Sequence, residues 1–353
     1  MNPNFWKGRR VFITGHTGFK GAWLSLWLQK VDAEVTAFSL APPTIPNLFE
    51  EARVADGITS VRGDIRDYDA LNQALHASKA EIVFHLAAQA TVAGGYRDAR
   101  DTFASNLTGT LNLLDAIREN PQIKAAVIVT TDKCYAPATD NVPLKEHAPM
   151  GGKDPYSASK SCAEIAVNSW RESFFHASDS PCIATARAGN VIGGGDWAEH
   201  RLLPDMVRAF MAHQPLSLRM PAAVRPWQHV LDALHGYLML AEHLAGDNGR
   251  HYARGWNFGP TEEDHRTVAE VAEMAVRFWG DGATWHNASS NFQTETHELR
   301  LDATAAKNEL AWHPRWRLDN ALRHTLEWYR AAQNATDIRA LTLSKIETFQ
   351  ATS

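Results

Sequence analysis

The chain has 353 residues and a formal net charge of −5; 44% of its residues are hydrophobic and 21% are charged. This composition is typical of a soluble globular protein that buries a sizeable core, in one large or two modest domains. The charge provides no basic patch for nucleic acid, and no apolar run approaches the roughly 20 residues that span a bilayer. We therefore expect a protein that binds neither nucleic acid nor membrane.

The N-terminus and the cysteines indicate the cellular compartment. Residues 1–7 lack the charged-then-apolar pattern of a signal peptide. Cys134, Cys162 and Cys182 are odd in number and have no metal-ligand spacing. We therefore predict reduced thiols, a cytoplasmic location and no metal site. Cys134 is interpreted as a packing residue, because no histidine-based arrangement that would activate it is evident.

The first predicted strand runs into a glycine-rich turn that opens a helix. Gly15, Gly18 and Gly21 lie between an apolar strand and the helical pattern of residues 22–30. Glycines let the backbone turn tightly and approach a pyrophosphate, which then lies at the helix N-terminus. A glycine triplet alone is as often a structural turn. Between a strand and a helix, this Gly-x-x-Gly-x-x-Gly spacing predicts a dinucleotide-binding site.

Short apolar strands alternate with helix-length segments over the first half of the chain. The strand candidates are residues 11–14, 34–39, 60–63, 81–86, 125–130 and 182–186. The helix candidates that separate most of them are residues 20–30, 69–78, 102–119 and 156–175. This alternation predicts right-handed crossovers and an α/β fold, a Rossmann-like doubly wound parallel sheet.

The regular alternation weakens after Asn190, which suggests a second part of the chain. We predict a dinucleotide-binding domain of Rossmann type over residues 1–186, with a return to its sheet at 225–255. A smaller, mixed substrate-binding domain is predicted over residues 187–224 and 256–335. Residues 336–353 are expected to form a loosely attached helix or tail.

Two stretches carry residue types suited to catalysis. Tyr156 and Lys160 lie one helical turn apart on one face. The cation favours the phenolate, so the tyrosine can act as a base near neutral pH while hydride leaves an alcohol or sugar for a nicotinamide. Thr131, Asp132 and Lys133 follow a predicted strand and add a hydroxyl, an acid and a second basic group. Since such sheets build sites at these strand ends, we predict a catalytic role for them. The alternative for Asp132 and Lys133 is a solvated turn.

Together these motifs resemble the extended short-chain dehydrogenase/reductase family over nearly the whole chain. Within that family the chain is similar to the CDP-glucose 4,6-dehydratase group. Dehydratases for dTDP- and GDP-sugars carry Asp-Glu where this chain has Asp132 and Lys133. The stretches that carry the resemblance are residues 15–21, 39–43, 132–135, 151–157, 187–197 and 224–230.

The resemblance implies a reaction in which C4 of a nucleotide-linked glucose is oxidised, water is eliminated across C5–C6 and hydride returns to C6. Tyr156 would be the base for the C4 hydroxyl, and Lys160 would tune its pKa and bind the cofactor ribose. Thr131 would hydrogen-bond the C4 oxygen. Asp132 would protonate the departing C6 hydroxyl, and Lys133 would remove the C5 proton.

The resemblance also implies binding residues for both ligands. Asp64 would accept the adenine amine, with a helix N-cap as the alternative. The implied cofactor set is Gly15, Thr17, Gly18, Phe19, Gly21, Ser39, Asp64, Ile65, Leu86, Ala87, Ala88, Asn106, Thr130, Tyr156 and Lys160. For the nucleotide-diphosphate sugar the implied set is Gln89, Asn190, Arg201, Leu202, Arg219, Arg225 and His229.

Two departures from the family pattern bear on the ligands. The acidic residue expected about 20 residues after the glycines, which would hold the ribose 2′-hydroxyl of NAD, is absent, and Ser39 takes its place. His16 and Lys20 are basic residues in the same loop. We therefore predict NAD as cofactor and leave NADP open. In addition, residues 89–96 lack the Pro-Leu-Val-Arg-like stretch usual in these dehydratases, which leaves the exact sugar open.

Other functions and assembly states stay open at this level. A nucleotide-sugar epimerase or reductase would use Thr131, Tyr156 and Lys160 without an Asp132–Lys133 acid/base pair. A non-enzymatic nucleotide sensor would have no reason to keep the tyrosine and lysine. Helices 106–117 and 156–175 carry apolar residues on more than one face, which predicts a homodimer or higher homo-oligomer; the alternative is that both faces are covered within one chain.

Overall fold

The computed structural model describes residues 1–137, 142–288 and 298–352. The strands in this part of the chain are β1 (Arg10–Thr14), β2 (Glu34–Ser39), β3 (Thr59–Arg62), β4 (Ile82–His85), β5 (Ala125–Val129), β6 (Cys182–Ala188), β7 (Asn190–Ile192), β8 (Leu216–Leu218), β9 (Val224–His229), β10 (Gly255–Phe258), β11 (His265–Thr267) and β12 (Trp285–Asn287).

Helices connect most of these strands. They are α1 (Pro3–Trp6), α2 (Phe19–Lys30), α3 (Leu48–Glu51), α4 (Tyr68–Ser78), α5 (Val92–Arg97), α6 (Ala99–Phe103), α7 (Gly109–Glu119), α8 (Pro155–Phe174), α9 (Leu202–Met211), α10 (Val230–Leu244), α11 (Gly249–Tyr252), α12 (Val268–Trp279), α13 (Thr304–Glu309), α14 (Leu318–Ala332) and α15 (Ile338–Ala351). A π-helical turn at Ala104–Thr108 joins α6 to α7, and 3-10 turns lie at Asp132–Cys134 and Glu262–Asp264.

Seven parallel strands form the central sheet, in the order β3-β2-β1-β4-β5-β6-β10. Helices α4, α7 and α8 pack together on one face, and α2 and α10 pack together on the other. The strand order reverses between β1 and β4, which opens a crevice at their carboxyl ends. This architecture confirms the predicted doubly wound parallel sheet.

The predicted strands agree with the observed ones to within about two residues. The predicted helix over 102–119 is instead α6, the π-helical turn and α7 in succession. Helix α8 begins where the sequence signals it, because Pro155 is its first residue and the Asp154 carboxylate accepts from the Ser157 amide at 3.0 Å. That start places Tyr156 and Lys160 in the first two turns.

The second part of the chain is built from smaller sheets. Strands β7, β9 and β11 form one sheet, and β8 pairs with β12 in another. The chain returns to the central sheet through α10, which packs on β5 and β6, and through β10, which pairs with β6. The predicted boundary at residue 186 is too early, because β6 continues to Ala188 within the central sheet.

The C-terminal segment is packed against the core, contrary to the expectation of loose attachment. Helix α15 buries Phe349, whose ring lies 5.7 Å from that of Trp27 in α2. The Arg315 guanidinium donates to the carbonyls of Phe349, Gln350 and Thr352 at 3.2, 3.2 and 2.8 Å. A cation at the carbonyls of the last turn stabilises the end of the helix.

In the part of the chain that the structure describes, no helix combines the length and apolar character that crossing a membrane requires. Within the same residues, no cluster of three or more histidine, cysteine or acidic side chains could hold a metal ion.

Candidate active site

The predicted catalytic residues Thr131, Asp132 and Lys133 follow β5 directly, at the carboxyl edge of the sheet. Thr131 is in extended conformation, and its hydroxyl accepts from the Lys133 amide at 3.3 Å and donates to Asp132 Oδ1 at 3.1 Å. These bonds tie the 3-10 turn to the end of the strand. Asp132 is buried and therefore does not occupy the solvated turn that was the alternative interpretation.

Asp132 has the properties of a buried acid. Its side chain is 3% exposed, and Oδ2 has no hydrogen-bond partner among the described residues. Burial raises the pKa of Asp132, against the opposing charges of Lys133, Arg225 and Lys20. Gly189 lies beside it, and a Cβ there would come within 3.1 Å of Oδ2. A carboxyl group held towards its protonated form, with one oxygen unengaged, can donate a proton to a ligand.

Tyr156 and Lys160 lie on α8 close to this turn. Both are nearly buried, and Lys160 Nζ donates to the Val129 carbonyl at 3.2 Å. Burial lowers the pKa of Lys160 to about 8. Burial raises the pKa of Tyr156 to about 12, although a hydrogen bond with Thr131 and the charge of Arg201 act in the opposite direction.

These values correct the expectation that the cation of Lys160 brings the phenol to a neutral pKa. In the protein without ligand, desolvation of the phenolate outweighs the favourable charges. The pKa effects of Thr131 and Asp132 on Tyr156 show that these three side chains lie close together. A further positive charge brought by a ligand would lower the pKa of Tyr156.

The glycine turn has the shape that a dinucleotide requires. Gly15 adopts a φ of +81°, and a Cβ there would lie 2.5 Å from the Ala87 amide nitrogen. Only glycine fits this close approach of two loops. Helix α2 has Gly18 as its N-cap and no side chain capping it, so its first amide groups can bind an anion. Thr17 and Ser39 share a hydrogen bond of 2.7 Å beside this turn.

Asn106 connects the loop after β4 to α8. Its amide accepts from the Gln89 backbone nitrogen at 2.9 Å and donates to the Gln89 carbonyl at 3.0 Å and the Ser159 hydroxyl at 2.9 Å. It lies in the π-helical turn between α6 and α7, inside the helix predicted over 102–119. The extra residue in that turn lets Asn106 reach both elements and position the loop beside the cofactor crevice.

Asp64 and its neighbours follow β3, at the predicted adenine end of the crevice. The Asp64 carboxylate accepts twice from the Nε of Arg66, at 3.0 and 2.8 Å. The alternative N-cap role for Asp64 is wrong, because Asp67 caps α4. The adenine contact stays a prediction. Ile65 is buried and packs against Gly109 of α7.

The structure brings some predicted substrate residues to the site. Arg201 donates to Asp196 at 3.0 Å and to the Ala90 carbonyl at 3.2 Å, and its charge acts on Tyr156. Arg225 is 3% exposed on β9 and its charge acts on Asp132. Three other predicted substrate residues lie in the same part of the chain. Asn190 begins β7 and Leu202 begins α9, while Arg219 donates to the His200 carbonyl at 3.3 Å.

His229 does not lie open to a substrate, which corrects the prediction for it. Its ring is 2% exposed and packs 4.7 Å from Trp316, while Nδ1 accepts from the Leu231 amide at 3.2 Å. The side chain therefore caps α10 within an aromatic core.

Lys20 is a site residue whose role the sequence analysis did not recognise. Although it lies in the glycine turn, it is close enough to Asp132 and Lys160 for their charges to act on it. Burial lowers the pKa of Lys20 to about 7, and Nζ lies 3.5 Å from the Tyr237 hydroxyl. Its position as the second residue of α2, two residues after Gly18, was the available signal.

The sequence also did not reveal a buried ion pair between Arg187 and Glu164. Glu164 accepts from Arg187 at 2.8 and 2.6 Å and from Thr185 at 2.7 Å, and Thr130 donates to the same carboxylate. The Thr130 hydroxyl, which was predicted to contact the cofactor, is therefore bonded to Glu164 instead. Glu164 follows Lys160 by four residues on α8, and its charge acts on the lysine. That spacing was visible in the sequence, but the arginine partner lies on a different strand.

We expect Arg187→Met to lower the free energy of unfolding by about 3–5 kcal/mol, because it leaves the Glu164 carboxylate buried without its partner. Without Arg187, burial dominates and the folded-state pKa of Glu164 rises above its unfolded value, so the loss should grow as pH rises above about 4. Urea denaturation followed by tryptophan fluorescence measures it.

Arg118→Met is the matched control, since Arg118 pairs with Asp115 on the surface. It should lower the free energy of unfolding by less than about 1 kcal/mol. Adding Glu164→Leu to Arg187→Met should recover part of the loss. Equal stability of the Arg187 and Arg118 variants would show that the buried pair is unimportant.

Sequence comparison relates the chain to enzymes that act on nucleotide sugars. The NAD dependent epimerase/dehydratase family matches residues 11–255. A relative from Salmonella typhimurium, described as CDP-glucose 4,6-dehydratase, is 45% identical over 94% of this chain and 93% of its own length. A dTDP-glucose 4,6-dehydratase from Mycolicibacterium smegmatis is 27% identical over 92% of this chain and 94% of its length.

Solved structures show the same fold. The dTDP-glucose 4,6-dehydratase of Bacillus anthracis in complex with NAD aligns with a TM-score of 0.77 at 21% identity, covering 92% of this chain and 98% of that one. The UDP-glucose 4-epimerase of Thermus thermophilus, also in complex with NAD, aligns with a TM-score of 0.80 at 23% identity, covering 92% and 99%. Dehydratases and epimerases thus share this scaffold, so the site must decide between their reactions.

Proposed function

Because the chain belongs to the NAD dependent epimerase/dehydratase family, we propose that it is a nucleotide-sugar 4,6-dehydratase that converts CDP-glucose to CDP-4-keto-6-deoxyglucose. NAD is its cofactor; held at the glycine turn and the start of α2, it would supply the hydride acceptor for C4 of the sugar and the hydride donor for C6. The observation that carries the proposal is Asp132, a buried acid with an unengaged oxygen beside Lys133 and the Tyr156 site. An epimerase has no step that requires this acid.

Oxidation at C4 is assigned to residues of β5 and α8. Tyr156 takes the proton of the C4 hydroxyl, while the Thr131 hydroxyl orients the C4 oxygen through a hydrogen bond. Lys160 is buried one helical turn along α8 from Tyr156, and we assign it to the cofactor ribose. The hydrogen bond of Lys160 to the Val129 carbonyl holds its ammonium group in place. Among the charges that act on Tyr156, that of Arg201 favours the phenolate.

Elimination of water is assigned to the turn that follows β5. The C4 ketone acidifies the neighbouring C5 proton, and the side-chain amine of Lys133 removes that proton when it is in its uncharged form. Asp132 donates a proton to the C6 oxygen, which then leaves as water. The raised pKa of Asp132 supports this role, because a general acid has to hold its proton when the substrate binds.

The binding of the nucleotide sugar is assigned to the second part of the chain. Arg201 and Arg225 are the candidates for the diphosphate, with Asn190, Arg219 and Gln89 nearby, because guanidinium groups pair well with phosphate oxygens. The charge effects of Arg201 on Tyr156 and of Arg225 on Asp132 support this placement.

The proposed function also includes the cellular context. We infer a cytoplasmic homodimer or higher oligomer, as for an enzyme acting on intracellular nucleotide sugars. Two apolar side chains on α8 support self-association, since Ile165 is 59% exposed and Phe174 is 44% exposed.

An isotope experiment tests the reaction directly. With deuterium at C4 of CDP-glucose, the label should appear at C6 of a 4-keto-6-deoxy product, because the hydride taken from C4 is delivered to C6 at the same site. In heavy water, solvent deuterium should enter at C5, and NAD should show no net consumption. Mass spectrometry and NMR of the product measure these positions.

Other enzymes on this scaffold would give different labels. An epimerase would return the deuterium to C4 and leave the product mass unchanged, whereas a simple dehydrogenase would lose it to the cofactor pool. A parallel panel of UDP-, dTDP- and GDP-glucose is the control for the nucleotide. Turnover of CDP-glucose without label at C6 would contradict the proposed reaction.

A further inference from the structure

The carboxyl end of β2 is the position at which a dinucleotide-binding sheet contacts the adenosine ribose. An acidic side chain there binds the 2′-hydroxyl of NAD, whereas a nearby arginine accommodates the 2′-phosphate of NADP. In this chain β2 ends at Ser39, which is buried, and its hydroxyl lies 2.7 Å from that of Thr17 in the glycine turn. Thr17 also donates to the Leu40 carbonyl at 3.0 Å.

An arginine that the sequence analysis did not single out reaches this position. Arg62, the last residue of β3, pairs directly with Ser39 in the sheet register. Its Nη1 donates to the Leu40 carbonyl at 2.7 Å, and its guanidinium carbon lies 5.4 Å from the ring centre of Phe49. The side chain is exposed and has no carboxylate partner among the described residues.

The two basic residues that the sequence did single out supply no charge here. Burial and the charge of Arg62 lower the pKa of His16 to about 4, so its ring is neutral and hydrogen-bonds Ser60 at 2.7 Å. Lys20 points instead towards Tyr237 and the charges around Asp132. Arg62 is therefore the cation that faces the end of β2.

We propose that Ser39, Ser60 and Arg62 form a site for the phosphate on the adenosine 2′-oxygen, so that the protein binds NADP as well as NAD. We call these residues the ribose niche. The Ser39 and Ser60 hydroxyl groups bond Thr17 and His16, and either can turn from that partner to donate to a phosphate oxygen. The guanidinium group retains donors for a phosphate after its bond to Leu40, and no acidic side chain at the end of β2 repels the dianion.

The inference rests on the cofactor site of the proposed function but not on the dehydration reaction. Its test is therefore equilibrium binding, measured by calorimetry without any sugar substrate. The probes are NAD, NADP and the pair 2′,5′-ADP and 5′-AMP, which differ only in the 2′-phosphate. The wild-type protein should bind 2′,5′-ADP more tightly than 5′-AMP, and NADP within about tenfold of NAD.

Arg62→Gln should weaken binding of NADP and 2′,5′-ADP by about 10- to 100-fold, the range for losing hydrogen bonds to a charged group. Its affinities for NAD and 5′-AMP should change by less than about threefold. Ser39→Asp is the second variant, and it should abolish NADP binding while keeping NAD, since a carboxylate repels the phosphate and binds the 2′-hydroxyl.

Arg53→Gln is the matched control, because it removes one surface charge near Asp337, away from the ribose niche. It should leave all four affinities unchanged. The proposal is overturned if the wild-type protein binds 2′,5′-ADP no more tightly than 5′-AMP, or if Arg62→Gln weakens NAD and NADP equally. A failed isotope transfer from CDP-glucose would leave these affinities unaffected, so the two proposals fail separately.

Discussion

Tyr156→Phe should lower the turnover number by about 100- to 10,000-fold, the range of general acid–base catalysis, while the protein still binds NAD. The phenol is the base placed next to Thr131, and phenylalanine keeps its shape but has no proton to exchange. Steady-state kinetics with CDP-glucose measures the loss, and calorimetry with NAD measures cofactor binding.

Tyr68→Phe is the matched control for this change. Tyr68 lies at the start of α4 and interacts with Glu119 at the end of α7, so the same loss of a hydroxyl should leave turnover unaltered. Near-native turnover of the Tyr156 variant would assign the base to another residue. Loss of NAD affinity together with turnover would indicate a damaged crevice, and would contradict a purely chemical role.

Lys133→Met should stop elimination while permitting some oxidation at C4. The substitution removes the lysine amine, the proposed base for the C5 proton, but leaves Tyr156 and Lys160 in place. Reduced nicotinamide should then accumulate transiently, and its ultraviolet absorbance should rise without a dehydrated product. Rapid-mixing absorbance measures the first effect, and mass spectrometry of the quenched reaction measures the second.

Lys124→Met provides the control, because Lys124 precedes β5 and lies at the opposite end of the strand, where it pairs with Glu81. It should turn over like the wild-type protein. Unimpaired loss of water in the Lys133 variant would place the C5 base elsewhere. Asp132→Asn tests the acid in the same way, and it should also let reduced nicotinamide accumulate because the C6 hydroxyl is a poor leaving group without a proton.

The features that depend on residues close together in the chain could be predicted from the sequence. The alternation of apolar strands and helices specified the doubly wound sheet, and the helix predicted over 156–175 agrees with α8 to within one residue at each end. The spacing of Tyr156 and Lys160 follows from one turn of that helix. The glycine turn was equally predictable, because the requirement for glycine at position 15 arises from a positive φ and a close loop approach at a strand–helix junction.

The sequence could not predict side-chain environments that depend on distant residues. The raised pKa of Tyr156 and the commitment of Thr130 to Glu164 follow from burial by several elements. His229 carries the residue type of a ligand-binding group, yet neighbours remote in the chain, such as Trp316, make it part of the core.

By itself the sequence therefore determined the fold class, the family resemblance and the residues that carry the proposed chemistry. Only the tertiary structure decided which charges act together, because it pairs Arg62 with Ser39 across two strands and Arg187 with Glu164 between strand and helix. The physical reason is that periodicity and turn chemistry depend on adjacent residues. Burial and electrostatic interaction depend instead on distances in space, which strand order and register set.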